Sequence, residues 1–377
     1  MSRIWLRSSV ALVLAAAAGL IGWRVLAPAE VLASAATPYP SAVLRALGVT
    51  GRTNVAPLIV DGRLRVYAAK RQIRADAPVD AKSVNTARWS FRRWPEQLSG
   101  VVAVGHTVIS RWSDGELVAL DGRTGTITWR SSGPPAPKYD GHRTGAQTVW
   151  APPGLHVADG TVVVTGGGAL SAYDVVTGTR RWGVDVPAAC TDGFTTAGGA
   201  YVCPTGAYDT TSGAAVGGWP AAPYTPIGCD VAASRCAGLR DIAGQGWFTD
   251  TLVPGRGTVL DSPGSTIAAG VVFFPAGGGL RVTARTGGTP RSLPAAEVLG
   301  AAGDGRVALL TPARHLLVVD PGDGRTVADF PLAVGREKLT WSPGGWQVVD
   351  GHVAIERLST NSPGEYFTAE TVILAGF

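Results

Sequence analysis

The sequence predicts an all-β fold: a single β-propeller of seven or eight four-stranded blades, preceded by one N-terminal transmembrane helix. The motif Ala-apolar-Asp-x-x-Thr-Gly-x-x-x-Trp occurs at residues 119–129 and again at 172–182, and looser copies follow. Each copy is preceded by an apolar run and a turn, so one unit holds four strands, which is the content of a propeller blade. Because a unit of this size cannot bury its apolar face alone, the units must stack on one another.

The N-terminal segment predicts a membrane anchor. Two arginines precede an apolar run over residues 8–23, and a third arginine follows it directly. Because positive residues are retained in the cytoplasm, we expect a single pass through the cell membrane, with the propeller on the extracytoplasmic side. Residues 1–26 are assigned to this anchor. The alternative is a signal peptide cleaved at the small residues 33–35, which would give a secreted protein.

The rest of the chain is assigned to a linker and one domain. A stretch rich in Pro and Ala indicates a linker over residues 27–57, and residues 58–377 are assigned to the propeller. Helical periodicity is absent beyond the N-terminus, and 51 glycines and 26 prolines supply turns for many short connections. The last predicted strand, residues 371–374, is placed to close the ring against the N-terminal side of the chain. Two packed β-sandwiches are the alternative, but they would not repeat so regularly.

Each residue type of the repeat has a structural role. The Asp side chain can accept hydrogen bonds from backbone N–H groups of the turn, and the Gly supplies the positive φ that the turn needs. In the last strand polar and apolar residues alternate, so Ile127 and Trp129 share the face that points between neighbouring sheets. Complete and partial copies of these positions are Asp121, Gly125, Trp129, Asp174, Gly178, Trp182, Asp209, Gly213, Trp219, Asp320, Gly324 and Phe330.

The cysteines predict two disulfides. The chain has 4 cysteines, all outside the anchor and close together in sequence. An even number in an exported chain favours disulfides, and we expect the two local pairs, Cys190 with Cys203 and Cys229 with Cys236, among the connectivities that the sequence allows. A zinc site would need paired Cys-x2-Cys spacing, which is missing.

Motifs for catalysis and for nucleic-acid binding are absent from the sequence. The 5 histidines do not fall into a metal-ligand spacing. No nucleophile elbow and no complete phosphate-binding or calcium-binding loop is present. The formal net charge of +5 is too small to imply a polyanionic partner. We therefore expect no metal, no cofactor, no nucleic-acid partner and no enzymatic activity.

The repeat at residues 119–129 and 172–182 resembles that of the PQQ-like (pyrroloquinoline quinone) β-propellers, within the wider group of WD40- and YVTN-like repeats. The resemblance covers roughly residues 58–377. It implies one of two functions, because the family includes quinoprotein alcohol dehydrogenases and also cofactor-free outer-membrane assembly scaffolds of the BamB type. The dehydrogenases carry two adjacent cysteines over the quinone and a calcium site that uses Asn, Glu and Asp. Here no two cysteines adjoin, and the asparagines lie toward the ends of the matched region.

These observations predict a non-catalytic, monomeric scaffold that binds a protein or another cell-envelope component. The alternative is a PQQ- and calcium-dependent dehydrogenase, or another propeller enzyme that uses the central funnel. An insert over residues 131–150, which is long for a propeller connection, is the predicted binding loop, because long loops on a rigid scaffold often carry recognition. Its candidate binding residues are Lys138, Tyr139, Asp140, His142, Arg143 and Trp150.

Overall fold

Eight antiparallel sheets form the blades of a propeller. The computed structural model describes residues 12–20, 22, 27–41, 47–80, 87–139, 144–230, 233–337, 340–359 and 371–377. The eight-bladed form is one of the two predicted blade counts. Within a blade, consecutive strands are neighbours, so the chain runs outward from the axis to the rim and then crosses to the next blade.

Two strands precede the first blade in the chain, β1 (Ala29–Ala33) and β2 (Gly48–Thr53). The strands of blades 1 to 4, from the axis outward, are β3 (Pro57–Val60), β4 (Leu64–Ala69), β5 (Gln72–Asp76) and β6 (Trp89–Trp94); β7 (Leu98–Val104), β8 (Thr107–Trp112), β9 (Glu116–Asp121) and β10 (Ile127–Ser132); β11 (Leu155–Ala158), β12 (Thr161–Gly166), β13 (Ala169–Asp174) and β14 (Arg180–Asp185); β15 (Phe194–Thr195), β16 (Ala200–Cys203), β17 (Gly206–Asp209) and β18 (Ala215–Val216).

The strands of blades 5 to 8, in the same order, are β19 (Thr225–Ile227), β20 (Gly238–Arg240), β21 (Gly246–Phe248) and β22 (Gly255–Arg256); β23 (Thr266–Ala268), β24 (Val271–Ala276), β25 (Gly279–Ala284) and β26 (Arg291–Leu293); β27 (Glu297–Ala301), β28 (Val307–Leu310), β29 (His315–Val319) and β30 (Thr326–Pro331); β31 (Trp341–Val349), β32 (His352–Ser359) and β33 (Thr371–Gly376). Apart from the helical residues 12–20 near the N-terminus, the described helical elements are α1 (Ala146–Trp150) and two short 3₁₀ helices, Ala188–Cys190 and Thr258–Leu260.

The ring is closed by the N-terminal strand β2, which forms the outer strand of blade 8 beside β33. Closure at the C-terminal strand was predicted from the sequence. The buried side chains of β33, among them Val372, Ile373 and Leu374, belong to hydrophobic clusters between blades. The two ends of the propeller are therefore held together by one sheet, and no edge is left between them.

Residues 27–57 are not a simple linker. They contain β1 and β2, and β1 adds a fifth strand to the outer edge of blade 1 by pairing with β6. Glu30 of β1 forms ion pairs of 2.9 Å with Arg93 and 2.6 Å with Arg130, so it ties blade 1 to blade 2. Composition suggested a linker because the stretch is rich in Pro and Ala. β1 nevertheless pairs with β6 along its whole length, a partner that composition does not reveal.

The predicted transmembrane helix lies only partly within the described residues. Residues 12–20 are helical and exposed, and residues 1–11, 21 and 23–26 are outside the described part of the chain. Among the helices that the structure describes, none has the length and apolar character needed to cross a bilayer.

Tryptophans of the repeat join one blade to the next. The indole Nε1 of Trp129 in blade 2 donates a 2.9 Å hydrogen bond to the carbonyl of Val175, in the repeat turn of blade 3. Two further indoles make the equivalent contact with the following blade: Trp89 donates to Gly122 O at 2.7 Å, and Trp182 donates to Thr210 O at 2.9 Å. The first four blades are therefore linked in series by one repeated interaction.

The repeat glycines make room for these indoles. Gly178 has φ +71, and a Cβ at this position would lie 2.5 Å from ring atoms of Trp129. The turn aspartate Asp174 accepts hydrogen bonds from the N–H groups of Val176 and Thr177 at 2.9 and 2.8 Å. The series ends after blade 4, where the indole nitrogen of Trp219 is buried without a hydrogen-bond partner in the described structure. The weakening of the motif along the sequence thus matches a loss of the interaction.

Both predicted disulfides are present, Cys190–Cys203 and Cys229–Cys236. The first joins the 3₁₀ helix before blade 4 to β16. The second closes the segment between β19 and β20 of blade 5, whose strands have only two or three residues each. The cross-links therefore lie where the ladders are short.

Candidate functional site

An axial channel runs between the inner strands of the eight blades. Its larger cavity, of about 860 Å³, opens on the face that carries the turns between the first and second strands of the blades, which we call the turn face. The charged side chains that line it are Asp61, Asp159, Asp230, Arg235, Arg285 and Asp350. Arg235 pairs with Asp230 at 2.5 Å, and Arg285 pairs with Asp250 at 2.5 Å. The turn-face end of the channel is therefore polar and carries both signs of charge.

A second cavity, of about 480 Å³, adjoins the first toward the opposite face. We call this the connection face, because the connections between consecutive blades lie on it. We call this second cavity the upper cavity. Its walls come from the 131–150 insert and from blades 5 to 8, and they are mostly apolar. They include Trp150, Ile267, Leu299, Trp346 and Val348. The cavity is large enough for a small organic molecule.

The insert folds inward and covers part of the channel. Its helix α1 contacts the inner strands β3, β7 and β31, so it is seated between blades 1, 2 and 8. Trp150 is only 3 % exposed, and its Nε1 donates a 2.9 Å hydrogen bond to Pro57 O. The end of the insert is thus part of the hydrophobic core.

The fully buried Arg111 holds the start of the insert. Its guanidinium donates to five backbone carbonyls, at distances from 2.7 to 3.2 Å: Pro134, Pro135, Pro153, Gly154 and Thr165. Burial lowers the pKa of Arg111 to about 10. The carbonyl dipoles replace water around the buried charge. The same hydrogen bonds connect β8 to the insert and to blade 3.

Glu356 is the buried charge of the upper cavity. It lies on β32, is 8 % exposed, and accepts hydrogen bonds from the hydroxyl of Thr144 and, at 3.3 Å, from the N–H of Gly345. A Cβ at Gly344 would lie 2.3 Å from its Oε2, and β31 is irregular between Pro343 and Trp346. The two adjacent glycines therefore allow the backbone to approach the carboxylate.

His156, on the innermost strand of blade 3, is buried and neutral. Burial lowers its pKa to about 4. Its Nδ1 lies 3.1 Å from the carbonyl of Ala233, and its Nε2 has no hydrogen-bond partner in the part of the chain that the structure covers. A proton on Nε2 would be an unsatisfied buried donor, so the packing favours the neutral ring with Nδ1 protonated.

The structure separates the predicted binding residues into different environments. Lys138 is exposed and Tyr139 is half-buried, whereas Trp150 packs in the core. Asp140, His142 and Arg143 lie outside the described residues. Trp150 therefore anchors the insert and offers only its ring to the cavity, because its indole N–H is already used by Pro57.

Sequence reasoning did not identify Arg111, Glu356 or Trp346. Each lies outside the repeat and in no recognised motif. The one available signal was a carboxylate directly after the apolar run 353–355 of β32, at Glu356.

The upper cavity does not fit a calcium-bound pyrroloquinoline quinone. The upper cavity's one buried charge is the carboxylate of Glu356, and no basic side chain is among its described lining residues. The quinone itself carries carboxylates, which this charge would repel. Within the ranges described above, no three His, Cys, Asp or Glu side chains are grouped so as to hold a metal ion.

Comparison with known proteins supports the resemblance seen in the repeat. A family model described as outer membrane protein assembly factor BamB matches residues 7–148, which is less than half of the chain. The sequence matches no curated protein.

Three solved structures are named among those that the chain matches. BamB from Moraxella catarrhalis is 15 % identical with a TM-score of 0.46, and the match covers 88 % of this chain and 100 % of that one. The C-terminal WD40 domain of Sif2 is 11 % identical with a TM-score of 0.47, covering 88 % and 99 %. A europium-containing methanol dehydrogenase is 12 % identical with a TM-score of 0.39, covering 92 % and 93 %. The chain is a propeller that resembles the PQQ-like β-propellers of the BamB type, with the family match itself confined to residues 7–148.

Proposed function

We propose that this protein is a non-catalytic, membrane-anchored scaffold that binds a protein or another cell-envelope component through its connection face. The observation that carries the proposal is the rigid support of the 131–150 insert. Arg111 holds its start and Trp150 its end, whereas Lys138 remains exposed between them. Anchoring both ends of the insert lowers the entropy that it loses on binding, so its exposed groups suit recognition.

The proposed location is the extracytoplasmic side of the cell membrane. Two disulfides favour an oxidising compartment. The apolar run over residues 8–23, flanked by arginines, suits an N-terminal anchor. Because β1 begins at Ala29, an anchor of this kind would hold the rim of blade 1 close to the membrane surface.

The experiment is chemical cross-linking in native membranes, followed by capture of the tagged full-length protein. The test variant is Lys138→Glu, which reverses an exposed charge on the insert. The matched control is Arg325→Glu, which makes the same reversal at a side chain that is 73 % exposed in the repeat turn of blade 7, on the turn face. Both changes lie outside the core, so both proteins should fold.

We expect one recurrent partner that is captured by the wild type and by Arg325→Glu, and at least fivefold less by Lys138→Glu. Equal capture by all three proteins would place the partner elsewhere on the propeller. Absence of any partner above background would count against the scaffold.

A further inference from the structure

The upper cavity offers an unusual combination of a carboxylate and aromatic walls. Glu356 is nine-tenths buried at its wall, and its described partners are a hydroxyl and one N–H group. A carboxylate has about four acceptor positions, so roughly two remain for a ligand. Among the residues that the structure describes, no cationic side chain forms an ion pair with this carboxylate, and Arg357 beside it in sequence pairs with Glu337. Burying an unpaired carboxylate is costly, and a bound cation would offset that cost.

The two indoles on the cavity wall favour a cation with an apolar body. The N–H of Trp150 donates to Pro57, and that of Trp346 donates to Leu299 at 2.8 Å. Their hydrogen-bonding capacity is therefore used, and what they present to the cavity is ring surface. Indole rings attract cations through the negative potential of their faces.

The remaining lining is consistent with one small molecule. Ile267, Leu299 and Val348 supply aliphatic surface, and the described lining residues include no lysine or arginine. The second carboxylate at the cavity, Asp230, is already paired with Arg235. Glu356 is thus the charge that decides which ligand is accepted.

We propose that the upper cavity is a binding site for a small organic ammonium ion, with its apolar body against Trp150 and Trp346 and its ammonium group donating to Glu356. This inference is independent of the protein-binding role of the insert. It concerns the interior of the channel, whereas the proposed partner contacts the exposed side of the insert.

The test uses three probes of one shape and different charge: 3-phenylpropylamine, 3-phenylpropan-1-ol and 3-phenylpropanoate. Binding to the purified full-length protein is measured by isothermal titration calorimetry. We expect the amine to bind about tenfold more tightly than the alcohol, and the carboxylate to bind least. Equal binding of the three, tighter binding of the carboxylate, or no binding of the amine would overturn the proposal.

Glu356→Gln removes the charge and keeps the shape of the side chain. The matched control Glu297→Gln removes one carboxylate charge on β27, next to the lining residue Val298 but outside the lining. Glu356→Gln should bring the amine down to the affinity of the alcohol, and Glu297→Gln should leave it unchanged. An unchanged amine affinity in Glu356→Gln would contradict the assignment. If Glu356→Gln does not fold, the relative affinities of the three probes for the wild-type protein still test the proposal.

Discussion

At the scale of single residues, two glycines with a positive φ in different turns face different surroundings. Gly178 has φ +71 with the indole of Trp129 against it, whereas Gly244 has φ +77 with nothing within 4 Å of an added Cβ. Gly244 belongs to blade 5, where the repeat has decayed. Substituting each glycine by alanine therefore separates two contributions to the free energy of unfolding: the strain of the left-handed backbone, which both share, and the displacement of an indole, which only Gly178 requires.

We expect Gly178→Ala to lower the free energy of unfolding by about 2–4 kcal/mol, because it adds steric overlap to the strain of a left-handed alanine. Gly244→Ala should cost only about 1–2 kcal/mol, the strain alone. Urea unfolding followed by tryptophan fluorescence measures both values. Equal losses would mean that the blade contact at Trp129 adds nothing to stability.

His156 predicts a pH dependence of stability. Its pKa is about 4 in the fold and about 6.5 in the unfolded chain, so between these values the unfolded state binds more protons. Stability is then fully present above pH 6.5 and falls as the pH drops toward 4, by up to about 3 kcal/mol. Unfolding curves at several pH values, for the wild type and for His156→Gln, should show a flatter dependence in the variant over this range. Parallel pH profiles would refute the assignment.

At the scale of elements, β1 depends on an ion-pair network for its position. Arg93, 10 % exposed at its side chain, pairs with Glu30, Asp114 and Glu116 at 2.6 to 2.9 Å. The pKa of Glu30 is held below its usual value, mainly by the hydrogen bond from Arg130. The strand is otherwise exposed along its whole length, so packing contributes little.

Glu30→Gln should therefore loosen β1, with amide hydrogen exchange at Val31 and Leu32 about fivefold faster. Exchange measured by mass spectrometry tests this. The control is Asp323→Asn, whose pair with Arg325 is long, at 3.9 Å, and exposed; it should leave exchange in its own turn nearly unchanged. Unaltered exchange in β1 would show that backbone pairing with β6 suffices.

At the scale of the whole molecule, stability depends on closing the ring. Removal of residues 371–377 takes away the strand between β32 and β2 together with fully buried side chains such as Ile373 and Phe377. Each large apolar side chain contributes about 1.5–3 kcal/mol, so the loss is comparable with the whole stability of a domain.

We expect the truncated chain to lose its monomeric folded state, as measured by light scattering coupled to size-exclusion chromatography. A chain lacking residues 1–22, which end before β1, should remain folded and monomeric. A folded monomer without β33 would show that seven complete blades are stable on their own.

Much of the fold followed from the repeat. Two copies of one motif predicted four-stranded blades and the contact of Trp129 with the next sheet. The local cysteine spacing also pointed to the two pairs that form. The linker over residues 27–57 was wrong as a description, because strands β1 and β2 pair with distant partners that composition does not reveal.

The candidate site was less accessible to sequence reasoning. The insert was identified by its length, but Trp150 turned out to be a core residue because its role depends on blades 1 and 8. Thr144 and Glu356, which meet in the upper cavity, are 212 positions apart. A contact between residues so far apart cannot be predicted from short sequence motifs.

By itself, the sequence determined the class of fold and the four-stranded unit, because these depend on short-range periodicity and turn chemistry repeated along the chain. Only the tertiary structure decided how β2 closes the ring, where the insert is seated and which carboxylate faces the upper cavity. The physical reason is that a propeller brings the inner strands of all its blades to one axis. Side chains far apart in sequence then share a cavity, and the environment of each is set by the others.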